Sequence, residues 1–274
     1  GQFSSIDGNL ESISSIEFIN QNPIGQSSRS NPVTYIKAYD DIRNLFSKQS
    51  VSKQFSLKPK HFSFNVDGGR CDECKGEGTI KVEMQFMADI NLVCESCKGK
   101  RFKKNILQVT YQNKNIDDIL KMTIDEGYNF FLENGQSKIA NKLKALLDVG
   151  MGYVNLGQSS STLSGGEAQR IKLASFILKG QTAEKTLFIF DEPTTGLHFH
   201  DIKKLLNSFN HLINYGHSII VVEHNIELIK SSDYIIDLGP YGGDKGGELI
   251  FEGSPEKLVK NKKSLLTKFL KPKL

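Results

Sequence analysis

Three groups of residues in this 274-residue chain have the types and spacing of working chemistry. In the first, the apolar run Leu187-Phe188-Ile189-Phe190 ends in two adjacent acids, Asp191 and Glu192, followed by Pro193. A buried strand that delivers two carboxylates to its end can set one beside a divalent cation and the next beside an attacking water, as phosphoanhydride hydrolysis requires. The second is Leu163-Ser164-Gly165-Gly166-Glu167. Ser164 and Glu167 have capping-box spacing, and the two glycines open a helix whose bare N–H groups, at its positive end, suit a γ-phosphate. Glycines weaken a helix start unless a ligand uses those amides, so capping alone is better served by other residues. His224, just past the apolar run 219–222, completes this constellation.

The third group is Cys71-x2-Cys74 and Cys94-x2-Cys97, which uses all four cysteines of the chain. A CxxC turn lets two thiolates converge on one tetrahedral ion, and Gly76, Gly78 and Gly99 supply tight turns for two knuckles, so zinc is the expected metal. Disulfides are the competing reading, disfavoured for a cytosolic chain, and a redox CxxC would usually occur once beside a βαβ unit. Four thiolates close the shell, which makes the expected role structural. Between the knuckles, residues 79–86 alternate like a strand and 89–93 are expected to return as its partner, so the ion would clamp the base of a hairpin.

One expected part is missing. No G-x-x-x-x-G-K-[ST] occurs in the sequence, so the phosphate cradle and its lysine have no candidate. The chain therefore reads as a fragment or a degenerate relative, and Gly1 in place of Met reads as a trimmed start; alone it is expected to hydrolyse no ATP.

The elements that must position these groups form an α/β pattern. Ile202, Leu205, Leu206, Phe209, Leu212 and Ile213 recur at helical spacing between the apolar runs 187–190 and 218–222, which predicts a βαβ unit with parallel strands. Further strands around 234–238 and 248–252 are expected to extend that sheet. Helices are expected at about 32–48, 116–132, 137–148, 165–179, 225–231 and 254–270. Three segments follow: 1–60, with the first strand; 61–112, a zinc-binding insertion; and 113–274, with the glycine-led helix, the acid pair and the histidine.

Composition bounds the function. With 38% hydrophobic and 24% charged residues the chain is of ordinary globular type. No apolar run approaches the roughly 20 residues of a membrane span and no signal segment opens it, so a cytoplasmic setting without a membrane partner is expected. The net charge of +4 is weak evidence for a polyanion. Its distribution says more: Lys98, Lys100, Arg101, Lys103 and Lys104 crowd the second knuckle, whereas the lysines of 257–273 read as a solvated helix face.

The order of LSGGE, FDEP and EH motifs resembles the ATP-binding-cassette (ABC) ATPases, which implies a P-loop-type parallel sheet with a helical signature region. It also implies roles. Asp191 would hold magnesium through water, Glu192 would polarise the attacking water, and His224 would contact the γ-phosphate. Gln21, just after the strand-like Ile16-Glu17-Phe18-Ile19, matches the Q-loop glutamine, and Ser164, Gly165 and Gly166 would face ATP held by a partner cassette. Thr194-Thr195-Gly196-Leu197-His198 carries His where many transporter cassettes have Asp, which points away from transporters.

Together with the four-cysteine module, Asn31-Pro32-Val33-Thr34-Tyr35, Phe62-Ser63-Phe64-Asn65 and Gly68-Gly69-Arg70-Cys71 resemble the UvrA family, damage-recognition ATPases of bacterial nucleotide excision repair. The match corresponds to a second cassette after its phosphate loop. It implies double-stranded DNA and a UvrB-like protein as partners, a homodimer of the intact protein, and ATP, magnesium and zinc as ligands. Where the family has Ile-Gly-Arg this chain has Ile24-Gly25-Gln26, although Arg29 remains. Arg29, Arg43, Lys53, Lys100, Arg101, Lys103 and Lys104 would neutralise phosphates without reading bases, suiting a sensor of deformed rather than particular DNA. The rivals are a transporter's nucleotide-binding subunit and a non-catalytic zinc module that binds DNA or protein; structural-maintenance ATPases insert a long coiled coil where this chain has a short hairpin.

Overall fold

The computed structural model describes all residues except 1–4, 6, 26–28, 83, 85–89, 180–183 and 244–245. The chain forms two compact units, one of Gly1–Ile19 with Ala183–Leu274 and the other of Asn20–Thr182.

In the first unit the strands Ser15–Ile19, Thr186–Asp191 and Ser218–Val222 pair in parallel, with Thr186–Asp191 in the centre and Phe18, Ile189 and Ile220 in register. The expected βαβ unit is present. Phe188 and Phe190 of the central strand are buried, and Phe190 meets Phe209 of the helix Phe199–Asn214 at a ring separation of 4.7 Å. That helix also buries Ile202, Leu205 and Leu212 along one stripe, the pattern its spacing predicts. Where the central strand begins, Thr186 N–H donates to Nδ1 of the buried His217 at 3.1 Å, and burial holds the His217 pKa down. The acid pair thus starts from an anchored strand.

The strands Ile235–Gly239 and Glu248–Gly253 do not extend this sheet. They pair antiparallel with each other, with a bulge between Asp237 and Leu238. The physical reason is the short connection between them, since a parallel return needs a crossover of a dozen or more residues. The expected helix 225–231 shortens to Ile226–Ile229, and 254–270 holds only Pro255–Leu258 and Thr267–Leu270, which share a small core of Ile229, Ile235, Leu258 and Leu270.

In the second unit the helices Ser137–Asp148 and Gly165–Lys179 lie where they are expected, but two others are broken. The first divides into Pro32–Tyr35 and Ala38–Ser47 at Lys37, whose φ is +57°. The second divides into Ile116–Lys121 and Ile124–Glu133. There Thr123 accepts from Glu126 N–H and Glu126 accepts from Thr123 N–H, a capping box that restarts the helix. Tyr39 and Phe46 pack on Phe62 and Phe64, and Phe64 on Phe102, with ring separations of 5.0–6.3 Å. The four-cysteine segment therefore shares its core with the helices. Its hairpin is formed by Thr79–Val82 and Ile90–Val93, with Ile80 opposite Leu92; residues 83 and 85–89 of the expected strand and return lie outside the described residues.

Candidate functional site

In the first unit the acid pair leaves the central strand as predicted, and the sheet continues one step further, with Glu192 N–H donating to Val222 O at 2.9 Å. Glu192 has φ +45°, a conformation uncommon for residues other than glycine. It turns the chain at the strand end, where Asp191 and Glu192 are both exposed. Glu192 Oε1 and His224 Nδ1 stand 3.8 Å apart, with 48% and 81% of their side chains exposed. Both side chains face solvent side by side, so a water or an anionic ligand can reach either of them.

Glu223 holds this arrangement together. Its Oε1 accepts the Thr194 N–H at 2.9 Å and the Thr194 hydroxyl, while its Oε2 accepts the N–H groups of His224 and Asn225 at 2.7 and 2.9 Å. One carboxylate thereby ties the turn after Asp191-Glu192-Pro193 to the loop that carries His224. Partial burial would raise its pKa, but those hydrogen bonds outweigh burial and hold the carboxyl below its usual range. Sequence reasoning assigned Glu223 no role; its only signal was its place between the apolar strand and His224.

In the second unit Ser164 and Glu167 form the predicted capping box. Glu167 Oε2 accepts Ser164 N–H at 2.7 Å, and Ser164 Oγ accepts Glu167 N–H at 3.3 Å. Gln21 lies against this helix start: a Cβ on Gly165 would stand 2.7 Å from the Gln21 Cβ and 2.9 Å from its Oε1. Close approach by Gln21 is thus a reason for glycine at 165 that the sequence did not reveal. Lys172 Nζ, from the same helix, donates to the carbonyl and side-chain oxygens of Asn20 at 3.1 and 2.9 Å and so fixes the segment carrying Gln21.

The four cysteine sulfurs are buried, unbonded to one another, and all within 4.8 Å. Cys71 and Cys94 are separated by 3.9 Å and Cys74 and Cys97 by 3.6 Å. A disulfide needs about 2.05 Å, whereas a tetrahedron of metal–sulfur bonds of about 2.3 Å has edges near 3.8 Å. The two knuckles repeat one backbone course, with φ +49° and +87° at Lys75 and Gly76, and +50° and +80° at Lys98 and Gly99. Gly78 N–H donates to Cys74 Sγ at 3.2 Å. Burial and the neighbouring thiols push Cys97 up to about 12. Four sulfurs at these separations form a tetrahedral donor set, and that set fits zinc.

The basic residues divide. Lys53, Lys100 and Lys104 are exposed. Arg29 pairs with Glu77 at 3.4 Å, Lys103 with Asp72 at 2.8 Å, and Arg43 with Asp40 beside the Tyr39 ring. Arg101 turns inward: its Nη1 donates to Gly157 O at 3.0 Å, its guanidinium lies 5.8 Å from the Phe64 ring centre, and burial lowers its pKa. Among the described residues no helix is long and apolar enough to cross a membrane.

A family model described as "ABC transporter" matches residues 71–195. The UvrABC system protein A of Clostridium perfringens is 53% identical over 99% of this chain, and that of Aquifex aeolicus is 51% identical over 99%. The chain spans only 28% and 29% of the lengths of those relatives. Among solved structures, UvrA2 from Deinococcus radiodurans superposes with a TM-score of 0.89 at 39% identity, covering 97% of this chain and 32% of that one.

Proposed function

Because this chain belongs to the UvrA family of ABC-type ATPases and matches one part of it, we propose that it supplies the signature, acid-pair and switch-histidine elements of a DNA damage-recognition ATPase of nucleotide excision repair. The observation that carries the reading is the Glu192–His224 pair, 3.8 Å apart at the ends of parallel strands and braced by Glu223. Ligands of open parallel sheets bind beyond the C-terminal ends of the strands, where this pair stands.

In the intact protein Glu192 orients the attacking water and accepts its proton, while His224 donates a hydrogen bond to the γ-phosphate. Asp191 would help hold a magnesium ion, whose chemistry would be to neutralise charge on the phosphates. Ser164, Gly165 and Gly166 present N–H groups to ATP bound on a partner cassette of a homodimer, and Gln21 sits beside them. The missing lysine loop comes from another segment or another copy, so this chain alone turns over no ATP. Cys71, Cys74, Cys94 and Cys97 hold one zinc in a structural role. The exposed Lys53, Lys100 and Lys104 meet phosphates of double-stranded DNA, joined by Arg29, Arg43 and Lys103 if their ion pairs open, and a UvrB-like protein is the downstream partner. The protein acts in the cytoplasm.

The test is Glu192→Gln in the full-length protein. ATP binding should persist while turnover at this site is abolished. Wild-type turnover in that variant, or robust hydrolysis by this chain alone, defeats the assignment.

A further inference from the structure

Segment 152–158 connects the second zinc knuckle to the signature turn, and backbone bonds pin it along its length. Gly152 O accepts Asp125 N–H at 3.0 Å and Val154 O accepts Ile124 N–H at 2.8 Å; Leu156 and Gly157 N–H donate to Met122 O and Leu120 O, both at 2.8 Å. The segment is thereby seated on the junction of the helices Ile116–Lys121 and Ile124–Glu133. Gly157 permits the approach, since a Cβ there would stand 2.9 Å from the Leu120 Cβ.

Both ends of this strut engage side chains. At one end Arg101, four residues beyond Cys97, donates Nη1 to Gly157 O at 3.0 Å. At the other the Tyr153 hydroxyl donates to Glu167 Oε1 at 2.7 Å and accepts from Arg170 Nη2 at 3.3 Å. The second oxygen of Glu167 caps Ser164 N–H at 2.7 Å. The carboxylate that shapes the signature turn is therefore held by a residue outside its own helix. The Tyr153 residue is 60% exposed, so packing explains little of its placement and the hydroxyl explains more.

We propose that Tyr153 is a positioning residue for the signature turn, and that the strut makes the second zinc knuckle and that turn move as one body. The proposal rests on the reading of Ser164-Gly165-Gly166 as a phosphate site. Tyr153→Phe keeps the ring and removes the bond to Glu167, so the fold is retained while Glu167, and with it Ser164, loses its outside support.

In the full-length protein Tyr153→Phe should lower kcat about tenfold while KM for ATP stays within about twofold, because the turn acts after ATP is gripped elsewhere. Hydrogen exchange of the ATP-free protein should show lost protection at amides 164–168 in Tyr153→Phe and in Arg101→Met. Ser164→Asp is the control for the underlying reading: aspartate still caps the helix but sets a negative charge against the phosphate, so turnover should vanish. If Ser164→Asp stops turnover while Tyr153→Phe keeps wild-type kcat and protection, the positioning role is overturned and the phosphate site stands. A raised KM with unchanged kcat overturns it likewise. Protection lost in Tyr153→Phe but kept in Arg101→Met overturns the link to the knuckle. Wild-type turnover in Ser164→Asp overturns the phosphate reading itself.

Discussion

At the knuckles four sulfurs are buried within 4.8 Å of one another, whereas at the strand ends Glu192 and His224 are 48% and 81% exposed and stand 3.8 Å apart. The first arrangement would spend all four donors on one tetrahedral ion and leave no position open. The second leaves its reacting groups to solvent and braces them from behind through Glu223. A closed set of this kind serves stability, while an open and braced set suits a ligand that arrives and leaves. The contrast predicts that mutations in the two regions separate into losses of structure and losses of turnover.

The largest effect should come at the knuckles. Structural zinc in small modules carries an apparent binding free energy of about 10–16 kcal/mol, so Cys74→Ser should lose the metal and the protease resistance of 71–102. Metal analysis and limited proteolysis check this, and wild-type zinc content would break the closed-shell half of the comparison. At the strand ends Glu192→Gln in the full-length protein should lower turnover about 10²- to 10⁴-fold with an unchanged melting temperature, because the carboxylate is half exposed. A large drop in melting temperature would show that the open site also bears structure.

Glu223→Ala sharpens the same boundary, since it removes a brace rather than a reacting group. Lost hydrogen bonds to a charged, partly exposed acceptor cost about 1–3 kcal/mol, toward the lower end here. Because the folded carboxyl is held below its unfolded value, its stabilisation is complete above the ordinary carboxylate range and is lost as pH falls through the lowered folded value. Melting curves of wild type and variant should therefore converge on acidification; a gap that persists would mean the brace works by packing. The smallest effect is expected from Lys100→Ala with Lys104→Ala, which should flatten the salt dependence of DNA binding by about two phosphate contacts and leave stability unchanged. Arg101→Ala should instead destabilise, because its guanidinium is committed to Gly157 O and the Phe64 ring.

Local pattern carried much of this structure. The capping box at Ser164 and Glu167, the helices Ser137–Asp148 and Gly165–Lys179 and the βαβ unit follow from spacing within a few turns of chain. The misreadings were breaks and pairings. The helical stripe of 116–132 runs through Met122, yet Thr123 and Glu126 restart the helix there, a capping box legible in the sequence but masked by the apolar periodicity. The strands Ile235–Gly239 and Glu248–Gly253 were identifiable as strands, but which partner each takes depends on the length of the connection.

By itself the sequence determined what short-range chemistry specifies: which cysteines sit in paired CxxC turns, which strand ends in acids, and which helix opens on glycines. Each of these is settled by residues within one turn or one knuckle. Only the tertiary structure decided that Glu223 spans the acid-pair turn and the histidine loop, that Gln21 occupies the space a side chain at 165 would need, and that Arg101 points inward beside two lysines that do not. Those outcomes depend on groups far apart in the chain meeting at hydrogen-bonding or van der Waals distance, and side-chain type alone carries no record of which neighbour a donor will find.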